Sequence, residues 1–172
     1  NFNKEAVLSV NPQIIIDVGE KKSTIVEDMD QIQESLGIPV IFIEARLDNT
    51  DEAYRTLGKI LGREAEGNAI ADYCQKTYAR SAALAAKIKD KPRVLYLGGP
   101  LGNMAVAHGS FHAQVLDLLA DNVAVVPSPA EGAMTQVSME QVLTWNPDVL
   151  ILGAESEPDL TMLPWREMRA VQ

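Results

Sequence analysis

Glu5-Ala6-Val7-Leu8-Ser9-Val10-Asn11-Pro12-Gln13-Ile14-Ile15-Ile16 aligns without a gap on Glu140-Gln141-Val142-Leu143-Thr144-Trp145-Asn146-Pro147-Asp148-Val149-Leu150-Ile151. Each copy reads as a short helix, an Asn-Pro turn and a buried strand. The proline has no amide hydrogen and biases the asparagine before it away from helical geometry, so the helix stops there. The Val-Leu pair of each copy is placed to pack under a sheet. Asn3 and Ser138 stand at the same offset before the proline, where each can cap its helix, and Glu5 and Glu140 then share one first-turn position.

Outward from the repeat, apolar runs rich in β-branched residues occur at Gln13 to Val18, Pro39 to Ile43, Arg93 to Leu97, Val123 to Val126 and Asp148 to Leu152. They are nearly continuous in hydrophobicity and are separated by helical patterns, which predicts parallel sheets covered on both faces and an α/β fold. Ser23 is expected to open a helix that Gly37 closes, with Pro39 confirming the stop, and Thr50 and Asp51 open another through Leu61. A second helical stretch runs from Glu64 to Lys89; about 26 residues at 1.5 Å each would extend roughly 39 Å. Lys87, Lys89 and Lys91 suit the dipole at its end. Pro92 then starts a new strand, leaving two strands before the long helix and three after it. Two parallel strands do not bury a sheet by themselves, so further residues are expected upstream of Asn1, and the end at Ala170-Val171-Gln172 invites the same expectation.

Composition narrows the function. Among 172 residues, 15 Lys and Arg face 24 Asp and Glu, a formal charge of −9, with no basic run longer than Lys21-Lys22. This weighs against nucleic acid and anionic membranes as partners. A composition 47% hydrophobic and 23% charged is that of a globular protein, and the longest apolar run, Val149 to Ala154, is too short to span a bilayer. Cys74 is the only cysteine, so no intrachain disulfide forms.

With one copy of the repeat on each side of a long helix, the chain resembles the substrate-binding proteins of ABC importers for ferric siderophores, haem and cobalamin. The resemblance rests on the two Glu-to-Asn-Pro copies, Leu36-Gly37-Ile38-Pro39-Val40, Leu57-Gly58-Lys59-Ile60-Leu61-Gly62, Lys91-Pro92-Arg93-Val94-Leu95-Tyr96, and the stretch from Pro164-Trp165 to Ala170-Val171. It implies two Rossmann-like lobes with parallel sheets joined by a long backbone helix, both incomplete here. Residues 1–50 would be the later part of the N-terminal lobe, 51–91 the connecting helical segment, and 92–172 most of the C-terminal lobe. It also implies an extracytoplasmic protein, periplasmic or a cell-surface lipoprotein, with no covalently bound cofactor and a ligand that itself carries a metal. Glu5 and Glu140 would enter arginine pockets of the permease; read without the resemblance, an acid in the first helical turn offsets the helix dipole.

Ligand contacts are expected from loops at the carboxyl ends of the strands. These are Val18-Gly19-Glu20 and Glu44-Ala45-Arg46, then Gly98 to His108, Ser128 to Thr135 with Glu131, and Gly153 to Pro158. Arg46 and Arg166 suit carboxylate or oxyanion groups, and Trp165, Tyr54 and Phe111 offer flat apolar contact. Gly98-Gly99-Pro100-Leu101-Gly102 lacks the Gly-Lys-Ser/Thr ending of a phosphate loop and reads as a turn that lets backbone approach a bulky ligand. His108 and His112 are four apart, but Gly109 and Ser110 intervene, with Ser110 read as the cap of a helix through Leu119, so no direct metal site is expected. Cys74 is expected mid-helix beside Tyr73 and Tyr78. No nucleophile-base signature stands out, so the chain reads as a non-enzyme that captures an iron chelate, haem or cobalamin. The alternatives are a molybdate or oxyanion importer component and a doubly wound α/β enzyme.

Overall fold

The computed structural model describes residues 3–126 and 134–153. Internal contacts divide the chain into two compact units, Asn1–Ala79 and Arg80–Gln172. The first contains α1 (Lys4–Ser9), β1 (Ile15–Gly19), α2 (Ile25–Leu36), β2 (Val40–Glu44), α3 (Thr50–Ile60) and the start of α4 (Glu64–Ala85). β1 and β2 pair in parallel, Ile15 opposite Val40 and Gly19 opposite Glu44, so the loops after both strands leave from the same edge. α2 begins two residues after the predicted Ser23: Thr24 precedes its first residue and donates its hydroxyl to Asp28 at 2.8 Å. It stops as expected on Gly37, whose left-handed φ of 68° favours a residue without Cβ.

α3 and α4 touch backbone to backbone. A Cβ on Gly67 would lie 2.8 Å from the Tyr54 carbonyl oxygen and 2.9 Å from Gly58 Cα. Arg55 closes the same corner, donating to Asn68 at 2.9 Å and to Asp72 at 2.7 Å. Its guanidinium holds the Asp72 carboxyl below the usual carboxylate range. The covered stripe of α4 runs through Gly67, Ala71, Cys74, Tyr78 and Ala85, so Cys74 shares a face with Tyr78 but not with Tyr73, which is 70% exposed. α4 ends at Ala85, four residues short of the predicted Lys89. Beyond it the amides of Lys87 and Ile88 reach back three residues, to Leu84 and Ala85, and the tightened turns end the α-ladder. The 22 residues span about 33 Å. Lys91, predicted to serve this helix end, serves another.

The second unit contains β3 (Arg93–Gly98), β4 (Met104–Ala105), a one-turn 3₁₀ helix (Phe111–Ala113), α5 (Gln114–Leu119), β5 (Asp121–Asn122), β6 (Thr135–Gln136), α6 (Met139–Trp145) and β7 (Val149–Leu152). β3 is the centre because both its edges are filled. The carbonyls of Pro92, Val94 and Tyr96 accept from Asp121, Val123 and Val106, while those of Arg93 and Leu97 accept from Asp148 and Gly153. Pairing with β5 and β7 is parallel, as the continuous apolar runs predict; the two-residue β4 and β6 add antiparallel pairs that are too short to show in the sequence. Leu95, Leu97, Ala105, Val123, Ala124 and Val142 form the core of this unit. Lys91 Nζ donates to the carbonyls of Asp117 and Leu118 and so caps α5.

The strand predicted over Val123 to Val126 is instead β5 followed by a turn. Buried Asn122 takes the Ala124 amide on its own side-chain oxygen, and the Val125 amide turns back to the Val123 carbonyl at 2.8 Å. Asn122 Nδ2 also donates to the carbonyl of Val106 and to Asp117 Oδ1. Asn122→Leu strands a buried amide and a buried carbonyl, so urea unfolding of the complete protein is expected to lose about 3 kcal/mol with an unchanged m-value.

The two copies of the repeat match in detail. Asn3 Oδ1 accepts the Ala6 amide and Ser138 Oγ accepts the Gln141 amide, each at 3.1 Å, confirming both caps. Asn11 (φ 46°) and Asn146 (φ 44°) are the only described non-glycine residues with positive φ. Proline excludes the right-handed helix from the residue before it, and asparagine tolerates the left-handed alternative. Their amides bond Leu8 and Leu143, both at 3.1 Å.

Candidate functional site

Glu5 and Glu140 are exposed at the second residue of α1 and α6. The supports under them differ. In α6, Val142 is 1% exposed and Trp145 packs against the core, whereas α1 buries no residue.

At the carboxyl edge of the first sheet the structure groups three predicted ligand residues: Gly19, Arg46 and Tyr54. Gly19 accepts the Ala45 amide at 2.9 Å, bringing the two loops side by side. The Arg46 backbone is clamped at both ends, its amide donating to Asn49 Oδ1 and its carbonyl accepting the Thr50 hydroxyl. Its guanidinium meets Asp48 at 3.5 Å, a long contact between partly exposed groups that holds little energy. Tyr54 lines an apolar hollow of about 190 Å³ with Val18, Ile43, Ala45, Ala53 and Leu57. A broader open hollow of about 940 Å³ includes Gly19 and Phe42, but its lining mixes Lys4 and Lys22 with Asp17, Glu20 and Asp28 and so carries no field of one sign.

In the second unit Gly99, Pro100 and Leu101 form the tip between β3 and β4. Gly99 has φ 77°, a Cβ there would lie 2.8 Å from Met104 Cγ, and Leu101 stands 71% exposed. β4 then runs back along β3 and carries His108 away from that tip. His108 Nδ1 lies 3.2 Å from Asp117 Oδ1, while Asp117 Oδ2 accepts the Gly109 amide at 2.8 Å. The imidazole is thus tied into the Asn122 network. Phe111 sits in the 3₁₀ turn, edge-on to His112 with ring centroids 5.6 Å apart. Ser110, predicted to cap this helix, makes no side-chain cap; its hydroxyl is buried without a hydrogen-bond partner among the described residues, because a 3₁₀ turn comes between it and α5. Glu131, Trp165 and Arg166 lie outside the described residues. Among the described residues, no group of three or more His, Cys, Asp or Glu is placed to hold a metal, and no helix is long and apolar enough to cross a membrane.

Sequence reasoning misses Asp117, Asn122 and Arg93. Asn122 does carry a signal, a polar side chain abutting a run of buried apolar ones. Arg93 shows in the sequence only as the start of a strand.

Two α/β units with parallel strand pairing, each carrying one capped-helix, Asn-Pro, strand element, define a duplicated binding-protein architecture. The chain belongs to the periplasmic binding protein family, whose model matches residues 1–163. It is 25% identical over 178 residues to the Fe(3+)-citrate-binding protein YfmC of Bacillus subtilis (strain 168), spanning 99% of this chain and 54% of that protein. An ABC transporter solute binding protein from Sulfurospirillum deleyianum DSM 6946 superimposes with a TM-score of 0.75 at 26% identity, covering 87% of this chain and 47% of that one. The periplasmic vitamin B12 binding protein BtuF of Vibrio cholerae shares the fold, with a TM-score of 0.71 at 19% identity over 90% of this chain and 58% of its own. The chain therefore spans about half the length of the relatives it matches.

Proposed function

We propose that this chain is part of the extracytoplasmic substrate-binding component of an ABC importer, that its cargo is a metal chelate, and that Glu5 and Glu140 dock it on the permease. The observation that carries the reading is the duplicated element itself: two helices capped alike, each with an exposed acid at its second residue, inside a periplasmic binding protein. An iron-citrate relative favours an anionic iron chelate over haem or cobalamin. The net charge of −9 opposes an anionic ligand, so local cation placement must override it. Arg46 suits that role, because its backbone is clamped at the end of β2 while its guanidinium holds only a weak partner. The Tyr54 hollow and the Leu101 tip offer apolar contact, each on its own unit.

The test is thermal melting of the complete protein with ferric citrate, ferric hydroxamate, ferric catecholate, haem, cobalamin and molybdate. A ligand at 100 times its Kd adds about 2.7 kcal/mol and raises the melting temperature by several degrees. Ferric citrate is expected to shift the melt, and Arg46→Ala to remove most of that shift. A shift with molybdate alone would replace the chelate reading with an oxyanion one; no shift with any of them would remove the chelate.

A further inference from the structure

Arg93 reaches the far end of the helix that carries Glu140. Its Nη2 donates to the Trp145 carbonyl at 2.6 Å and its Nε to the Asn146 carbonyl at 3.4 Å, two carbonyls at the end of α6. The same guanidinium meets Asp121 Oδ2 at 3.4 Å, at the start of β5, and the Arg93 amide donates to Asp148 Oδ2 at 3.2 Å, just before β7. One residue of the central strand thus ties α6 to the starts of both neighbouring parallel strands. Packing seats this seven-residue helix through the fully buried Val142 and the partly buried Met139 and Trp145, and Arg93 adds the hydrogen bonds that hold its C-terminal end to the sheet. A cation at a helix C-terminus is also favoured by the dipole. Among the described residues no arginine stands at the matching end of α1, where the Val10 and Asn11 amides bond backbone carbonyls and the side-chain bond is local, from the Ser9 hydroxyl to the Ala6 carbonyl at 2.8 Å.

We infer that Arg93 is a positioning residue for permease docking: it fixes the height and rotation of α6, and with them the place of Glu140, before the permease is met. This rests on the docking role proposed above for the two glutamates. Glu140 is held ready by packing and by Arg93, whereas Glu5 has no such strut.

The experiment is a double-mutant cycle in the complete protein, read as the concentration needed for half-maximal stimulation of the permease ATPase in proteoliposomes. Arg93→Met is expected to raise that concentration about fivefold in the wild-type background and by less than about twofold when Glu140 is already Gln, because the two act through one helix. In a Glu5→Gln background the full fivefold should persist. Arg93→Lys, which keeps one bond to the helix end, should recover part of the loss, and it carries the test if the Met variant fails to fold. The affinity for the ligand identified by the melting panel should not change in either variant. A purely structural arginine would lower the melting temperature and multiply equally in all three backgrounds, which would overturn the assignment. Wild-type stimulation by Glu140→Gln alone would instead remove the docking reading, and the role of Arg93 with it.

Discussion

With Glu5→Lys and Glu140→Lys together, transport by the complete protein and the permease proposed as its partner is expected to fall to background while affinity for the cargo stays within about twofold of wild type. The acids are exposed at the second residue of two helices, and neither lines the Tyr54 hollow nor pairs with Arg46, so their reversal is expected to leave the proposed ligand contacts in place. The cost to folding is small: an acid in a first helical turn contributes about 0.3 to 1 kcal/mol through the dipole, and a lysine there reverses a term of that size. Against an arginine pocket the same change turns a charge-assisted bond into like-charge repulsion worth several kcal/mol, enough for a loss of about a hundredfold or more at each site. The difference between these magnitudes makes the measurement decisive. Import of labelled cargo into proteoliposomes is read beside cargo affinity by calorimetry. Lost affinity with normal docking would show the acids serving the ligand, and wild-type import would show them serving only their helix dipoles.

Gly67→Leu is expected to be the most damaging single substitution for the first unit, lowering stability by about 3 kcal/mol and the melting temperature by several degrees. A side chain at this position meets backbone on both sides, the Tyr54 carbonyl oxygen at 2.8 Å and Gly58 Cα at 2.9 Å, and backbone cannot rotate out of the way. Leucine gains about 1 kcal/mol over glycine in helix propensity, so a net loss means the clash wins. Ala69→Leu, an exposed change two residues along the same helix, supplies the control and should be nearly neutral. Equal melting temperatures for the two variants would show that α3 and α4 separate without cost, contrary to the close contact and to the Arg55 bonds across the same corner.

What the sequence alone determined is what a few neighbouring residues decide. The Asn3 and Ser138 caps, the stop at Gly37 and the paired Asn-Pro turns each depend on bonds spanning three or four positions, so their residue types declare them. Continuous apolar runs likewise reveal parallel strands, because a strand covered on both faces has no polar side to show. Tertiary structure decided whatever depends on partners remote in the chain. Lys91 has the look of a long-helix end, yet it caps carbonyls 26 and 27 residues away. Arg93 finds its helix end 52 and 53 residues away. The run from Val123 to Val126 has the composition of a strand, but the buried side chain of Asn122 takes the Ala124 amide, and the next ladder amide, that of Val125, turns back to the Val123 carbonyl. Spacing and capping preference speak for His108 and Ser110 in the sequence, whereas Asp117 and a 3₁₀ turn set their surroundings in the fold. Nothing along the chain pairs Gly58 with Gly67; only the crossing of two helices shows that each is glycine because the other backbone occupies the space a Cβ would need.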